Sequence, residues 1–135
     1  MMIKTINSER IVEIGSNDIL FSLYSTIMVR LQSDHSEIKE AVMFLQTGVC
    51  KSGDALECAR QFNLIRDKLS QISPNDAIYD MNDLSKKAPW EGQISPIVTS
   101  CGNMYTTTDG KDLLYEVVCV LTYAHYCKVD VKIEN

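Results

Sequence analysis

Three groups of residues in this chain could do chemistry. The first is Cys101, followed by Gly102-Asn103 in a stretch without periodicity, with His35 and His125 elsewhere in the sequence. A loop cysteine with a histidine beside it can serve as a nucleophile; without one it is structural or idle. The second comprises the pairs Cys50/Cys58 and Cys119/Cys127, each spaced by eight residues, with His125 near the second pair. Zinc asks for four convergent ligands, and these spacings match no common zinc signature. No metal and no cofactor is therefore expected. Cys119 reads as a core residue of a helix and Cys127 as its end. The third group is the carboxylates Asp80, Asp83, Glu91, Asp109 and Asp112. Paired carboxylates can do acid/base work when unequal surroundings push their pKa values apart. They can also attract a basic partner. The local alternative is that Asp80 and Asp83 close Asx-type turns, while Asp109 and Asp112 favour a helix start.

These candidates cluster in the stretch Ile78 to Asp112, which holds the only Trp, two of the three Pro and three of the six Gly. A connection this long without periodicity is uncommon inside a compact domain and is usually functional or disordered. Leu84, Trp90, Ile94, Ile97, Val98, Met104 and Tyr105 are too apolar for disorder, so an ordered, irregular layer is expected. Trp90, after Ala88-Pro89, reads either as a plug pinning that layer to the core or as a binding residue. Phosphate-binding glycine patterns are absent, as are H-E-x-x-H and C-x-x-C.

The elements that must carry the layer are readable on either side of it. Met2 to Ile6 and Arg10 to Ile14 are β-rich around an Asn7-Ser8-Glu9 turn, a hairpin pattern. Ser16-Asn17-Asp18 starts a helix carrying Leu20, Leu23, Tyr24, Ile27, Met28 and Leu31. A second helix, with Ser36 as cap, runs to Gly48, and a third starts near Lys51 and stops before Pro74. Ala77-Ile78-Tyr79 is a short strand candidate. After the layer, Thr108 or Asp109 caps a helix that is apolar over most of its circumference and so belongs in the core. Lys128 to Ile133 alternates strictly and can pair with the hairpin. The whole reads as α+β: a small antiparallel sheet from the hairpin plus the C-terminal strand, packed on about four helices, with the irregular layer over them.

At 135 residues the chain is a single domain, 1–135, large enough to bury a core without staples. Its net charge of −5 argues against nucleic acid or an anionic membrane as a direct partner and permits a basic one. The first residues have no apolar run or cleavage site of a signal peptide, and no window reaches the roughly 20 apolar residues of a membrane span. A cytoplasmic location is expected, where five cysteines are most simply buried apolar residues.

From about Asp54 onward the chain resembles a bacterial toxin-immunity family, immunity protein 70. The likeness rests on Ser73-Pro74, Ile78-Tyr79-Asp80, Asp83-Leu84-Ser85-Lys86, Pro89-Trp90, Ile94-Ser95 and Tyr105-Thr106. It continues through Asp109-Gly110-Lys111-Asp112-Leu113 and Val129-Asp130-Val131-Lys132-Ile133. Phe21-Ser22 and Ser25-Thr26-Ile27 fit more loosely, and Leu31 to Val49 matches poorly. The resemblance implies an immunity protein that neutralises a cognate secreted toxin domain of a contact-dependent or related polymorphic-toxin system. It would bind one to one, by occlusion and without turnover. Such toxin domains are often nucleases with basic surfaces, which suits an acidic inhibitor. Asp80, Asp83, Glu91 and Asp109 are then the candidate charged contacts, and Trp90 and Tyr105 the aromatic anchors. The competing readings are a small cytosolic enzyme and an adaptor module using the 78–112 stretch.

Overall fold

The computed structural model describes residues 1–135. A hairpin opens the chain, β1 (Met2–Thr5) and β2 (Ile11–Glu13), followed by helix α1 (Asn17–Arg30) and a 3₁₀ stretch over Gln32–Glu37. Then come α2 (Lys39–Thr47), β3 (Val49–Cys50), α3 (Ser52–Leu69), a 3₁₀ turn at Pro74–Asp76, α4 (Leu113–Cys127) and β4 (Val131–Glu134). No helix is long and apolar enough to cross a membrane. The four strands form one antiparallel sheet in the order β2-β1-β4-β3. The expected pairing of the last strand with the hairpin is therefore present: Ile3 lies opposite Ile133, and Thr5 opposite Val131. Ile3 and Val131 are fully buried, because the alternation turns one face of the sheet onto α4.

α4 also packs along α3, the most extensive helix pair in the molecule. Leu113, Leu114, Val117, Val120, Leu121 and Ala124 of α4 join Cys58, Ala59, Phe62, Ile65 and Leu69 of α3 in a single core. Phe44 of α2 meets Phe62 edge-on at 6.2 Å between centroids, the favoured aromatic geometry. Gly48 ends α2 at φ 77°, a left-handed conformation that glycine adopts without a Cβ clash. That turn delivers Val49-Cys50 to the edge of β4.

Several expectations need correcting. α2 begins at Lys39 with Ile38 before it and no side-chain cap, and Ser36 lies in the 3₁₀ stretch. The cap of α4 is Asp112, which accepts the Tyr115 N–H at 3.2 Å; neither Thr108 nor Asp109 does so. Asp112 is fixed by Arg66 at 2.9 Å, which draws the end of the irregular layer onto α3. Cys119 is exposed on α4, not in the core, while Cys127 does close the helix.

Candidate interaction site

The long irregular layer is present, and α1 explains why it is ordered. One face of α1 carries the hydroxyls of Ser22, Ser25 and Thr26, all buried. A buried hydroxyl without a partner is costly, and here the layer supplies the partners. The Ile78 N–H donates to Thr26 Oγ1 at 2.9 Å, and Ser22 Oγ donates to the Ile78 carbonyl at 2.8 Å. The Met81 N–H donates to Ser25 Oγ at 3.1 Å. Ala77-Ile78-Tyr79 is consequently no strand: a helix's hydroxyls satisfy its backbone where a neighbouring strand would have done so.

The far end of the layer is fixed by close approach. The Cys101 N–H donates to the Ile72 carbonyl at 2.9 Å, and a Cβ on Gly102 would stand 3.0 Å from the Arg66 carbonyl oxygen and 3.1 Å from the Ser70 nitrogen. Only glycine lets this turn seat on the last turn of α3. Cys101 is fully buried and its thiol donates to the Ser73 carbonyl. Burial pushes that thiol up to about 11, the wrong direction for an activated nucleophile.

Tyr105 is the one aromatic candidate that the structure removes from the surface. It is 3% exposed, and its hydroxyl lies 3.0 Å from Ser22 Oγ and 2.9 Å from Thr26 Oγ1. It closes the network between layer and helix, and contributes only a small share of a groove wall outward. The corresponding signal was in the sequence, in Ser22, Ser25 and Thr26 at helical spacing. What could not be read was which residue far along the chain they bond.

Trp90, by contrast, is half-buried and meets Tyr79 edge-on at 5.6 Å. Tyr79 in turn donates its hydroxyl to Asp18 Oδ2 at 3.0 Å, tying the pair to the start of α1. Two grooves open on either side of Trp90, of about 610 Å³ and 420 Å³. Trp90, Ile94 and Met104 line both. Leu84 stands at the rim of the first and is 65% exposed; Ile97 stands at the rim of the second and is 81% exposed. Trp90 thus pins the tip of the layer and also presents a ring edge between two open grooves.

The carboxylates divide less simply. Asp80 and Asp83 do close Asx turns, accepting the Asn82 N–H at 2.8 Å and the Ser85 N–H at 3.2 Å. Asp80 is half-buried and lies 3.6 Å from Lys86. Glu91 lies 3.5 Å from Lys87, and Asp109 lies 3.5 Å from Lys111. Asp109 also accepts the Thr107 hydroxyl, which holds its carboxyl below the usual range. Asp83 alone among the four candidates has no cation at ion-pair distance; the Ser85 hydroxyl on its Oδ1 lowers its pKa. Between Ile78 and Asp112 five carboxylates face three lysines, an excess of two negative charges. The layer as a whole has a modest acidic bias, although Arg66 meets Asp112 and, around the groove beside Trp90, Arg30, Lys86 and Lys87 outnumber Glu91. Trp90 and Glu91 line the first groove beside Trp90, and Asp80 meets Lys86 of that lining; Asp83 lines neither groove, and Asp109 lies toward β2, in a groove with Glu13 and Glu116.

No three histidine, cysteine or carboxylate side chains converge as a metal site would require. Trp90 with Ile94, Met104, Leu84 and Ile97 forms an apolar centre ringed by charged side chains, the anatomy of a protein-binding surface. The chain belongs to the immunity protein 70 family, whose model matches residues 3–133. The match includes Leu31 to Val49, the stretch that resembled the family least, and it assigns the chain an immunity role. No curated protein and no solved structure matches the chain.

Proposed function

We propose that this immunity protein binds the cognate secreted toxin domain one to one, through the face centred on Trp90, and occludes its active site or substrate surface. The observation that carries this reading is the placement of Trp90 between two grooves with exposed Leu84 and Ile97 at their rims. Exposed apolar surface of that kind, rimmed by charge, marks a docking site. The toxin is a nuclease-type domain with a basic surface, acting in the cytoplasm of a neighbouring cell, and the acidic bias of the layer speeds its capture. Immunity must outrun damage, and complementary charge raises association above the neutral range of roughly 10⁵–10⁶ M⁻¹s⁻¹.

Two variants separate anchoring from attraction. Trp90→Ala should speed dissociation from the cognate toxin domain about 30-fold or more, as loss of a central aromatic hot spot does. Replacing Asp80 and Asp83 by Asn and Glu91 by Gln converts the layer's excess of two carboxylates into an excess of one lysine. That variant should associate about tenfold more slowly at low salt, with a flatter or inverted salt dependence. Both variants should protect cells less well. Unchanged kinetics in both folded variants would place the interface elsewhere.

A further inference from the structure

The outer face of α4 carries a strip of aromatic and small residues. Tyr115, Cys119, Thr122 and Tyr126 recur at steps of four, three and four, so they share a strip about 60° wide along the helix. Tyr115, Cys119 and Tyr126 are exposed, Tyr126 to 73%. The Thr122 hydroxyl is taken up by the Val118 carbonyl at 2.7 Å, so it asks nothing of a partner. Tyr115 and Tyr126 are equally far from the midpoint between Val120 and Leu121, and so are Cys119 and Thr122. The strip is therefore self-complementary under a two-fold axis at that point. An antiparallel second helix would set Tyr115 against the partner's Tyr126, with the small residues at the crossing where backbones come closest.

Charge on the flank of the strip obeys the same symmetry. On the side facing β2 lie Glu116, in the first half of α4, and Tyr123, in the second. The Arg10 guanidinium stacks on Tyr123 at 4.7 Å from the ring centroid. Arg10 forms no ion pair within the chain, nor do Glu116 and Glu13. Glu13 and Glu116 line a groove of about 230 Å³ between β2 and the start of α4. The two-fold axis brings the partner's Tyr123 to within roughly 3 Å of the height of Glu116 along the helix, at a rise of about 1.5 Å per residue. The partner's Arg10 then faces the groove holding two unpaired carboxylates, and the contact is made twice.

We propose that α4 pairs antiparallel with α4 of a second copy of this chain, each copy's Arg10 entering the Glu13–Glu116 groove of the other. Tyrosine and arginine are the residues that interface centres favour, and an isologous two-fold contact is the commonest symmetric arrangement. The surface shares no residue with the grooves beside Trp90. The dimer accordingly leaves both Trp90 faces free, and self-association stands or falls independently of toxin binding.

Light scattering and sedimentation over a range of protein concentrations, in reducing buffer without toxin, test this directly. A dimer is expected. Arg10→Glu and Glu116→Arg should each raise its dissociation constant about tenfold or more, and the two changes together should recover most of the loss. A short bismaleimide should join Cys119 to the partner's Cys119 in the wild-type chain; Cys119→Ser should abolish that product and Cys127→Ser should leave it. A monomer at every concentration overturns the proposal, as does a dimer indifferent to the charge changes. So does a monomer whose Cys119 becomes protected from alkylation only on adding the toxin domain, which would give this face to the toxin.

Discussion

The Tyr105 hydroxyl ties the far end of the layer to α1 with a single group, at Ser22 and Thr26. Removing it as Tyr105→Phe leaves Ser22 and Thr26 bonded to Ile78 but deprives both of their shared neighbour. The expected cost is about 1–2 kcal/mol in chemical denaturation. The pH dependence has a definite sign. Burial pushes the Tyr105 phenol up to about 12, from about 10 for a free tyrosine. The fold thus holds the neutral phenol, and this stabilisation is whole below about pH 10 and drains away as pH rises toward about 12. Wild-type melting temperature should fall through that window, and the Tyr105→Phe variant should fall less. A parallel decline in both proteins would show that Tyr105 does not carry the alkaline transition.

At the scale of elements, α1 and the layer depend on each other. The backbone of the layer tip bonds only to near neighbours, as in Glu91 N–H to Ala88 O and Gln93 N–H to Trp90 O. Its position comes from Trp90 against Tyr79 and from the ends, above all from Thr26, whose hydroxyl serves the Ile78 N–H and lies against Tyr105. Thr26→Val keeps the shape and deletes the hydroxyl. Amide exchange at Ile78 should accelerate, and protease cleavage between Asn82 and Pro96 should appear before the rest of the domain opens; full retention of protection would mean the apolar contacts suffice. Much of this scale was legible in sequence. Helical spacing marked α1, α3 and α4, Gly48 marked the end of α2, and alternation marked β4. β3 was not legible, because two residues cannot show a period. Nor was the burial of Tyr105 or Cys101, since an irregular segment has no repeat to say which side faces in. Asp80 and Asp83 were readable as turn formers because that chemistry is local. Asp80's pairing with Lys86 was not, because it depends on how the turn folds back.

For the molecule as a whole, β4 decides whether there is a sheet. It lies between β1 and β3, and Val131 at its start is fully buried against the core. A chain cut after Lys128 would leave β1 and β3 without the strand between them, expose the face of α4 that the sheet covers, and leave the hairpin alone, which is marginal in water. Such a truncation should lose its cooperative thermal transition and its protection of cells, whereas Trp90→Ala, which removes a half-buried ring, should keep a cooperative transition at a cost of about 1–3 kcal/mol and lose protection. The contrast tests whether Trp90 uses the surface that the strand helps to build.

The same strand order sets a clock. β1 emerges from the ribosome well before β4, yet the two are immediate neighbours in the sheet. Pairings between such distant segments are the slow ones to form. Nothing in the nascent chain can close the sheet before Val131 emerges, so the fold forms only once β4 is free of the ribosome. A chain interrupted before β4 has no closed sheet, and α4 keeps an apolar face uncovered.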